Sequence, residues 1–292
     1  MRIAFLGTGR MGTELARHLL ADHELVVWNR TATRTAPLVE AGATTADTPE
    51  AAIEGADVII TALFGPDAVR ETVIEPNLIP DGIPWLDTTT VSPADAREFA
   101  AAVPTYVAVP VVGTLGPARE GKLGVYVGTP DPELRTKATQ LVAPWANPAR
   151  LKGVDSAAQA AVGKLLANLA LAVSAEGLRE ALALGAATGT SDAQVLDLLQ
   201  STGLAFIAGM KGPFVRGERQ TAGGDFTVDA IAKDAQLMIA TVESETQEHP
   251  ERARVGSDLP SVRAALSSLE DEQEAGRGDH DFSAMLLEHP EH

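Results

Sequence analysis

A glycine-rich turn between two apolar segments is the feature that most constrains the fold of this chain. Residues 3–6 have the apolar pattern of a strand and run directly into residues 7–12, after which a helical pattern begins. Residues 25–28 form a second apolar strand pattern. Strand, glycine turn, helix and strand within about 30 residues predict the start of a doubly wound α/β sheet that binds a dinucleotide.

Each glycine of this turn has its own expected role. Gly7 permits the tight turn, Gly9 lets the backbone approach a pyrophosphate, and Gly12 lets the helix pack closely against the strand. The N–H groups at the start of the helix would then bind the phosphates. The residues expected to hold the cofactor here are Gly7, Thr8, Gly9, Arg10, Met11 and Gly12.

The end of the second strand indicates which dinucleotide is bound. An NAD site usually has a carboxylate there, which holds the ribose 2′-hydroxyl. This chain instead has Asn29, Arg30 and Thr31, with Arg34 one turn later. A guanidinium can make paired, charge-assisted hydrogen bonds with a 2′-phosphate. The sequence therefore favours NADP(H) over NAD(H).

The composition argues against several classes of function. The formal net charge of −17 opposes binding to nucleic acid or to an anionic membrane surface. The chain has no cysteine, which excludes disulfides, thiolate catalysis and zinc–thiolate sites. Residues 164–175, the most apolar stretch, contain Asn168 and Ser174, so we expect them to be too short and too polar to span a bilayer. We expect a cytoplasmic protein that binds no metal.

Apolar strands and helical stretches continue to alternate up to residue 154. This alternation predicts a mainly parallel sheet with helices on both faces. Further strands are expected at residues 57–63, 85–90, 105–110 and 124–128. Helices are expected between them, for example at residues 66–73 and 92–102. We therefore predict a Rossmann-type, doubly wound α/β domain over residues 1–154.

The pattern changes after residue 154. Residues 155–187 are rich in Ala and Leu and contain no proline, which predicts one interdomain helix of about 30 residues. Further helices are expected at residues 192–200, 203–210, 228–244 and 259–274. We therefore predict an all-helical domain for substrate binding and dimerisation over residues 155–292, in which His289 and His292 belong to a frayed tail.

A lysine early in the long helix is the first candidate for acid–base chemistry. Lys164 and Asn168 are four positions apart, so their side chains share one face of the helix. Their apolar neighbours indicate a largely buried helix, in which desolvation would disfavour the ammonium form and prepare the lysine for proton transfer. The same pattern also fits a lysine that extends to solvent and an asparagine that bonds a neighbouring loop.

Further motifs follow the glycine turn along nearly the whole chain. They are Asp-Thr-Thr-Thr-Val-Ser-Pro at 87–93, Val-Pro-Val-Val-Gly-Thr at 109–114, Gly-Lys-Leu at 121–123, Lys164 with Asn168, Phe226 with Lys233 and Asp234, and Gly-Asp-His-Asp-Phe-Ser-Ala at 278–284. In order and spacing these motifs resemble those of the β-hydroxyacid dehydrogenase family, which includes 3-hydroxyisobutyrate dehydrogenases and glyoxylate/succinic semialdehyde reductases. The glycine turn with Asn29 and Arg30 is similar to an NADP-type version of the family's cofactor signature.

The resemblance implies roles for individual residues. Lys164 would be the proton donor and acceptor, and Asn168 would hold the substrate or orient the lysine. Asp234 would have a structural role. The resemblance also implies a homodimer with interlocking helical domains. Further residues that would line or close over the cofactor are Leu63, Phe64, Thr89 and Lys233.

Two departures from the family pattern concern the substrate. The family's substrate loop usually reads Ser-Gly-Gly, whereas this chain has Val112, Gly113 and Thr114. Because valine has no side-chain donor, a carboxylate substrate would lose an anchor there. Ala167 also replaces the first of two asparagines that usually follow the lysine. Both changes make the expected site more apolar.

The apolar site leaves three functions to be distinguished. The first is an NADPH-dependent oxidoreductase that transfers hydride between NADP(H) and a small carbonyl or 3-hydroxyacid-type substrate. The second is an imine reductase acting on a cyclic imine, because imine reductases resemble this family and have apolar sites. They commonly carry another residue at the lysine position, so Lys164 favours carbonyl–alcohol chemistry. The third is a nucleotide-binding sensor without turnover.

Overall fold

The computed structural model describes residues 1–287, and it divides into two compact units. The first unit is Met1–Leu165, and the second begins at Leu166. Residues 288–292, which include His289 and His292, lie outside the described residues.

The first unit is built on a sheet that has nine strands within the described residues. The strands are β1 (Arg2–Leu6), β2 (Glu24–Trp28), β3 (Thr44–Thr45), β4 (Val58–Thr61), β5 (Trp85–Asp87), β6 (Tyr106–Ala108), β7 (Val111–Val112), β8 (Leu123–Gly128) and β9 (Ala146–Val154). Their order is β3-β2-β1-β4-β5-β6-β8-β7, with β9 paired to β8. The first six strands are parallel, and β8 runs antiparallel to β6 and β7. This order confirms the predicted Rossmann-type fold.

Both faces of the sheet are buried, which explains why its central strands are mainly apolar on both faces. In β1, Ile3 and Phe5 face one hydrophobic core, whereas Ala4 and Leu6 face the other. All four side chains are fully buried. Helices must therefore cover both faces of the sheet.

Helices connect the strands of the first unit. They are α1 (Arg10–Leu19), α2 (Ala36–Val39), α3 (Pro49–Ile53), α4 (Pro66–Val69), α5 (Pro93–Ala102), α6 (Leu115–Arg119) and α7 (Pro132–Val142). α5 begins where the sequence predicts it, because Ser92 and Asp95 form a reciprocal capping box. A π-helical turn, Arg70–Ile74, continues α4 and completes the helical stretch predicted at residues 66–73.

The long helix of the sequence analysis is α8 (Ala157–Ala187). It begins after Ser156, whose Oγ accepts a hydrogen bond from a backbone N–H of the first turn. The first turns of α8 pack tightly on β8, since a Cβ at Gly128 would lie 2.5 Å from the Ser156 carbonyl oxygen. A Cβ at Gly163 would lie 3.0 Å from the Tyr126 ring. The first compact unit therefore extends into α8, beyond residue 154, where the sequence predicts the domain boundary.

Among its described residues, the second unit is helical apart from one β-bridge between Thr227 and Asp281. Its helices after α8 are α9 (Asp192–Leu198), α10 (Ala205–Val215), α11 (Val228–Glu248) and α12 (Pro260–Glu274). Its core includes Leu178 of α8, Ile231 of α11 and Leu269 of α12. The predicted helical C-terminal region is confirmed.

The longest strand of the sheet, β9, is missing from the sequence-based prediction. Most of its residues are at least partly exposed, because β9 lies at an edge and pairs only with β8 among the described strands. It therefore lacks the apolar run or the strict alternation that identifies a strand in the sequence. A register shift in its pairing with β8 weakens the pattern further.

The apolar stretch at residues 164–175, which we expect to be too short and too polar to span a bilayer, lies within the longer helix α8. Within residues 1–287, α8 is the one helix long and apolar enough to do so, with a mean hydropathy of 1.3 over its best window. About 33% of that window is buried. A core helix of a globular protein meets the same criterion, so length and hydropathy alone are weak grounds for a membrane span.

Candidate functional site

The glycine turn connects β1 to α1 at the carboxyl end of the strand. Gly7 has a φ of +102°, and a Cβ there would lie 2.3 Å from the Ala62 carbonyl oxygen. A Cβ at Gly12 would lie 2.0 Å from the Gly7 carbonyl oxygen. Contacts inside the protein therefore exclude a side chain at both positions.

Gly9 and Thr8 point to a ligand at this turn. Gly9 has extended backbone angles and a Cβ there would meet no protein atom within 4 Å, so the protein itself does not require glycine. The Thr8 hydroxyl is buried without a hydrogen-bond partner among the described residues. The open space beside Gly9, which a side chain would fill, fits a pyrophosphate at the start of α1. The unpaired Thr8 hydroxyl could donate a hydrogen bond to the same group. Arg10 is exposed and Met11 is half-buried on the same turn.

The end of β2 carries basic side chains and no carboxylate. Asn29 Oδ1 accepts a hydrogen bond from the Thr8 N–H at 3.0 Å, and Asn29 Nδ2 donates to the Thr31 carbonyl at 3.0 Å. The asparagine therefore fixes the strand end to the glycine turn, a task that the sequence did not reveal. Arg30 and Arg34 are exposed and make no ion pair with another described residue. Two such guanidinium groups suit a 2′-phosphate.

The segments that follow β4 and β5 are tied together at the same edge of the sheet. The Leu63 N–H donates to Thr89 Oγ1 at 3.1 Å. Thr89 is buried and Leu63 is half-buried, whereas the Phe64 side chain is 62% exposed. Thr89 therefore holds the Leu63 backbone in place. The Phe64 side chain provides accessible apolar surface at the next position.

Asp87, at the end of β5, is a buried acid to which the sequence analysis gave no role. Its Oδ1 accepts hydrogen bonds from the Thr61 hydroxyl at 2.7 Å and from the Thr89 N–H at 3.0 Å, and its Oδ2 accepts one from the Tyr106 hydroxyl at 3.3 Å. Burial raises the pKa of Asp87 to about 6, against the lowering effect of these hydrogen bonds. An acid followed by three threonines after an apolar strand is the sequence signal that could have identified it.

The predicted substrate loop connects β7 to α6. Val112 pairs with Gly124 of β8 and is half-buried, so this position presents an apolar side chain. Gly113 has a φ of +143°, and a Cβ there would lie 2.6 Å from a Leu123 methyl group. Thr114 precedes α6 without capping it through its side chain. The loop therefore combines an apolar side chain with a nearby hydroxyl.

Lys164 lies in the second turn of α8, inside the first compact unit. It is half-buried, between the buried residues Ala161 and Leu165. The preceding residue, Gly163, packs against the Tyr126 ring. The lysine is thus carried by a turn that is fixed to the same sheet as the glycine turn.

Asn168 lies one turn further along α8 and belongs to the second unit. Its Nδ2 donates to Asp234 Oδ2 at 2.5 Å, and Lys233 Nζ donates to Asp234 Oδ1 at 2.5 Å. Because a carboxylate only accepts hydrogen bonds, the buried Asp234 orients the Asn168 amide so that its Oδ1 faces elsewhere. The second unit therefore brings together three of the residues singled out in the sequence.

Comparisons with known proteins agree with this architecture. Residues 2–153 match the family model described as the NAD binding domain of 6-phosphogluconate dehydrogenase. The 3-hydroxyisobutyrate dehydrogenase of Pseudomonas aeruginosa is 29% identical over 304 residues, which cover 97% of this chain and 96% of that protein.

Solved structures share the fold over almost the full length. The 3-hydroxyisobutyrate dehydrogenase of Mycobacterium tuberculosis, solved with L-serine, has a TM-score of 0.80 at 23% identity and covers 98% of this chain and 97% of that one. The imine reductase of Myxococcus stipitatus, solved with NADP+, has a TM-score of 0.64 at 21% identity and covers 98% of both chains. The chain therefore belongs to the β-hydroxyacid dehydrogenase family of oxidoreductases, with the NAD binding domain of 6-phosphogluconate dehydrogenase over residues 2–153, and it shares its fold with an imine reductase.

Proposed function

We propose that this protein is an NADPH-dependent oxidoreductase that transfers hydride between NADP(H) and a small carbonyl or 3-hydroxyacid-type substrate, with Lys164 as proton donor and acceptor. The observation that carries this proposal is a half-buried lysine in the same compact unit as a glycine turn with an unpaired buried hydroxyl. The 29% identity to a 3-hydroxyisobutyrate dehydrogenase, over 97% of this chain and 96% of that protein, supports the substrate class.

Three features of the first unit would hold the cofactor. The backbone N–H groups at the start of α1 and the Thr8 hydroxyl would bind the pyrophosphate. The guanidinium groups of Arg30 and Arg34 would neutralise the 2′-phosphate, which NAD(H) lacks. The exposed side chain of Phe64 would provide apolar surface against which the cofactor packs. When bound, the reduced cofactor supplies the hydride.

Lys164 would supply the proton that the reaction needs. In reduction, its ammonium Nζ donates a proton to the substrate carbonyl oxygen, and in oxidation the neutral amine accepts the hydroxyl proton. Asn168 would hold the substrate through its Oδ1, because its Nδ2 is engaged by Asp234. Thr114 would be the remaining side-chain donor of the substrate loop.

An imine reductase is the second candidate function, and Val112 is the observation that favours it. A half-buried valine cannot donate a hydrogen bond to a carboxylate, so the loop suits a less polar substrate. The imine reductase from Myxococcus stipitatus has the same fold and was solved with NADP+.

Steady-state assays with substrates of the competing classes test the proposal. Loss of NADPH absorbance would be measured with small aldehydes, keto acids and cyclic imines, and NADPH binding would be titrated separately. We expect turnover of at least one aldehyde or keto acid, with a KM for NADPH at least about tenfold below that for NADH, because the 2′-phosphate adds charge-assisted hydrogen bonds. Faster turnover of imines would select the second candidate. Tight NADPH binding without any turnover would contradict both and leave a sensor.

Matched arginine variants test the cofactor assignment in the same assay. Arg30→Ser is expected to raise the KM for NADPH by about 10- to 100-fold and to leave the KM for NADH unchanged. Arg17→Ser, on the exposed side of α1, is the control and should change neither value. An equal loss with both cofactors would show that Arg30 acts on the fold and not on the 2′-phosphate.

We also propose that the protein is a homodimer assembled through its second unit. Large apolar side chains are exposed there, among them Leu184 at 68% and Phe206 at 76%. Exposed apolar surface of this kind marks protein interfaces, and a second copy of the chain is the proposed partner. Light scattering at micromolar concentration should give about twice the 30.4 kDa of one chain. A mass of one chain would contradict the dimer.

A further inference from the structure

The buried carboxylate of Asp87 stands at the centre of a hydrogen-bond network that the proposed chemistry does not use. Its donors come from three different segments: Thr61 at the end of β4, Thr89 after β5, and Tyr106 on β6. Trp85 Nε1 also donates to the Thr61 hydroxyl at 2.9 Å. A carboxylate is therefore surrounded by groups that donate to it, in a part of the sheet that is closed to solvent.

This network extends to the glycine turn. Thr89, held by Asp87 through its N–H, accepts the Leu63 N–H at its own hydroxyl. Leu63 in turn borders Gly7, since a Cβ at Gly7 would lie 3.1 Å from a Leu63 methyl group. Thr88 adds a second tie between the same segments, because its N–H and its hydroxyl both donate to the Thr61 carbonyl. A continuous chain of contacts thus runs from Asp87 to the turn that would hold the pyrophosphate.

We propose that Asp87 is a positioning residue for the cofactor site, which fixes Thr89 and, through it, the Leu63 backbone beside the glycine turn. The inference rests on the proposed function only in taking the ligand to be NADP(H). Asp87 is buried, so the proposed role does not include contact with the ligand. Its role is to hold two loops in register at the carboxyl ends of β4 and β5, where doubly wound sheets bind their nucleotides.

The ionised carboxylate is the form that fits this network. It accepts all three hydrogen bonds, whereas a proton on Asp87 turns one acceptor oxygen into a donor, so that a neighbouring hydroxyl must reorient or lose its hydrogen bond. Since burial raises the pKa of Asp87 to about 6, a drop in pH through that value protonates the group and loosens the loops. NADPH affinity is therefore expected to fall as the pH is lowered from 8 towards 5.

Among the described residues, the other ionisable groups near Asp87 are a tyrosine and an Asp–Arg ion pair. Tyr106 on β6 faces it directly, and burial raises the pKa of this phenol well above its ordinary value, so it stays neutral. Asp95 of α5 acts on Tyr106 from a greater distance and is paired with Arg70 at 2.5 Å. No cation pairs with Asp87 among the described residues, so its charge is held by hydrogen bonds alone.

Binding titrations of Asp87→Asn separate this role from a general effect on folding. The variant is expected to bind NADPH about tenfold more weakly than the wild type at pH 8, which corresponds to the loss of one or two hydrogen bonds. Its NADPH affinity should also lose most of its dependence on pH below 7. Its affinity for adenosine 2′-monophosphate, which has the 2′-phosphate but no phosphate for the glycine turn, should remain within twofold. Asp81→Asn, at an exposed position before β5, is the matched control.

Thr89 provides a second variant that keeps the proposal testable if Asp87→Asn unfolds. Thr89→Val should reproduce the loss of NADPH affinity, and Thr89→Ser, which keeps the hydroxyl, should restore it. Wild-type affinity for NADPH in both Asp87→Asn and Thr89→Val, with the pH dependence intact, would overturn the inference and leave the proposed function standing. Failure of the wild type to bind both NADPH and adenosine 2′-monophosphate would instead overturn the proposed function.

Discussion

Replacing Lys164 with alanine is expected to lower the single-turnover rate of substrate reduction by about 10²- to 10⁴-fold, the usual contribution of a positioned acid–base group. The affinity for NADPH should stay within about twofold, because the groups proposed to hold the cofactor are the glycine turn, Thr8, Arg30 and Arg34. Rapid mixing of the preformed NADPH complex with substrate measures the rate, and fluorescence titration measures the affinity. A loss confined to the rate identifies a group that acts in the transition state.

Two further variants decide what kind of contribution Lys164 makes. Lys164→Arg keeps a positive charge but cannot release a proton at neutral pH, so it should be nearly as slow as the alanine variant if proton transfer is the role. Recovery of most of the rate in Lys164→Arg would show that the charge alone is needed. Lys137→Ala, at an exposed position on α7, is the control for the loss of a lysine and should react at the wild-type rate.

Local sequence patterns were sufficient to predict the doubly wound fold, its central strands and the main helices. β1 and β2 are apolar at each buried position, and the capping residue Ser92 marks the start of α5, so periodicity and end signals coincide. β9 was not predicted from the sequence, because its position at the edge of the sheet leaves most of its side chains partly exposed. Its pairing depends on β8, more than twenty residues earlier, and not on a pattern within the strand.

The site was only partly accessible from the sequence, because several of its residues are defined by partners far away in the chain. Asn168 and Asp234 are 66 positions apart, and nothing in either segment predicts that the amide is oriented by the carboxylate. Asn29 is predicted to bind the cofactor, and only the structure shows that its amide also connects the strand end to the glycine turn. The spacing of motifs in the sequence identifies candidate residues for the site. Their hydrogen-bond partners are set by the fold and cannot be deduced from that spacing.

A buried ion pair in the second unit has the largest expected effect on stability. Lys211 of α10 and Asp281 are both almost completely buried, and Lys211 Nζ lies 2.6 Å from Asp281 Oδ1 and 3.8 Å from the centre of the Phe282 ring. Burial alone would raise the pKa of Asp281, but the Lys211 charge and the hydrogen bonds of Ser283 hold it below its ordinary value. The backbone N–H groups of residues 225 and 226 also donate to Asp281. The pair therefore fixes the segment that leads into α11, which carries Lys233 and Asp234.

Lys211→Met is expected to lower the free energy of unfolding by about 3–5 kcal/mol, because it leaves the Asp281 carboxylate buried without its counter-charge. Asp281→Asn should be similarly costly. The double variant Lys211→Met/Asp281→Asn should cost clearly less than the sum of the two single changes, since it removes both charges together. Lys122→Met is the matched control: Lys122 forms an exposed pair with Glu120 at 2.7 Å, and the loss of such a pair costs at most about 1 kcal/mol.

Urea denaturation can assign the loss to the correct unit. Trp28, Trp85 and Trp145 all lie in the first unit, so tryptophan fluorescence reports on that unit, whereas far-ultraviolet circular dichroism also reports on the helices of the second. With a slope of about 2–3 kcal/mol per molar urea, the expected loss moves the circular dichroism midpoint by about 1–2 M. The urea midpoint measured by fluorescence should shift less than the circular dichroism midpoint if the two units unfold separately. The two midpoints should shift equally if the units unfold together. If the circular dichroism midpoint of Lys211→Met shifts no more than that of Lys122→Met, the buried pair contributes no more to stability than a surface pair. If the losses in the two single variants add up to the loss in the double variant, the two charges do not depend on each other.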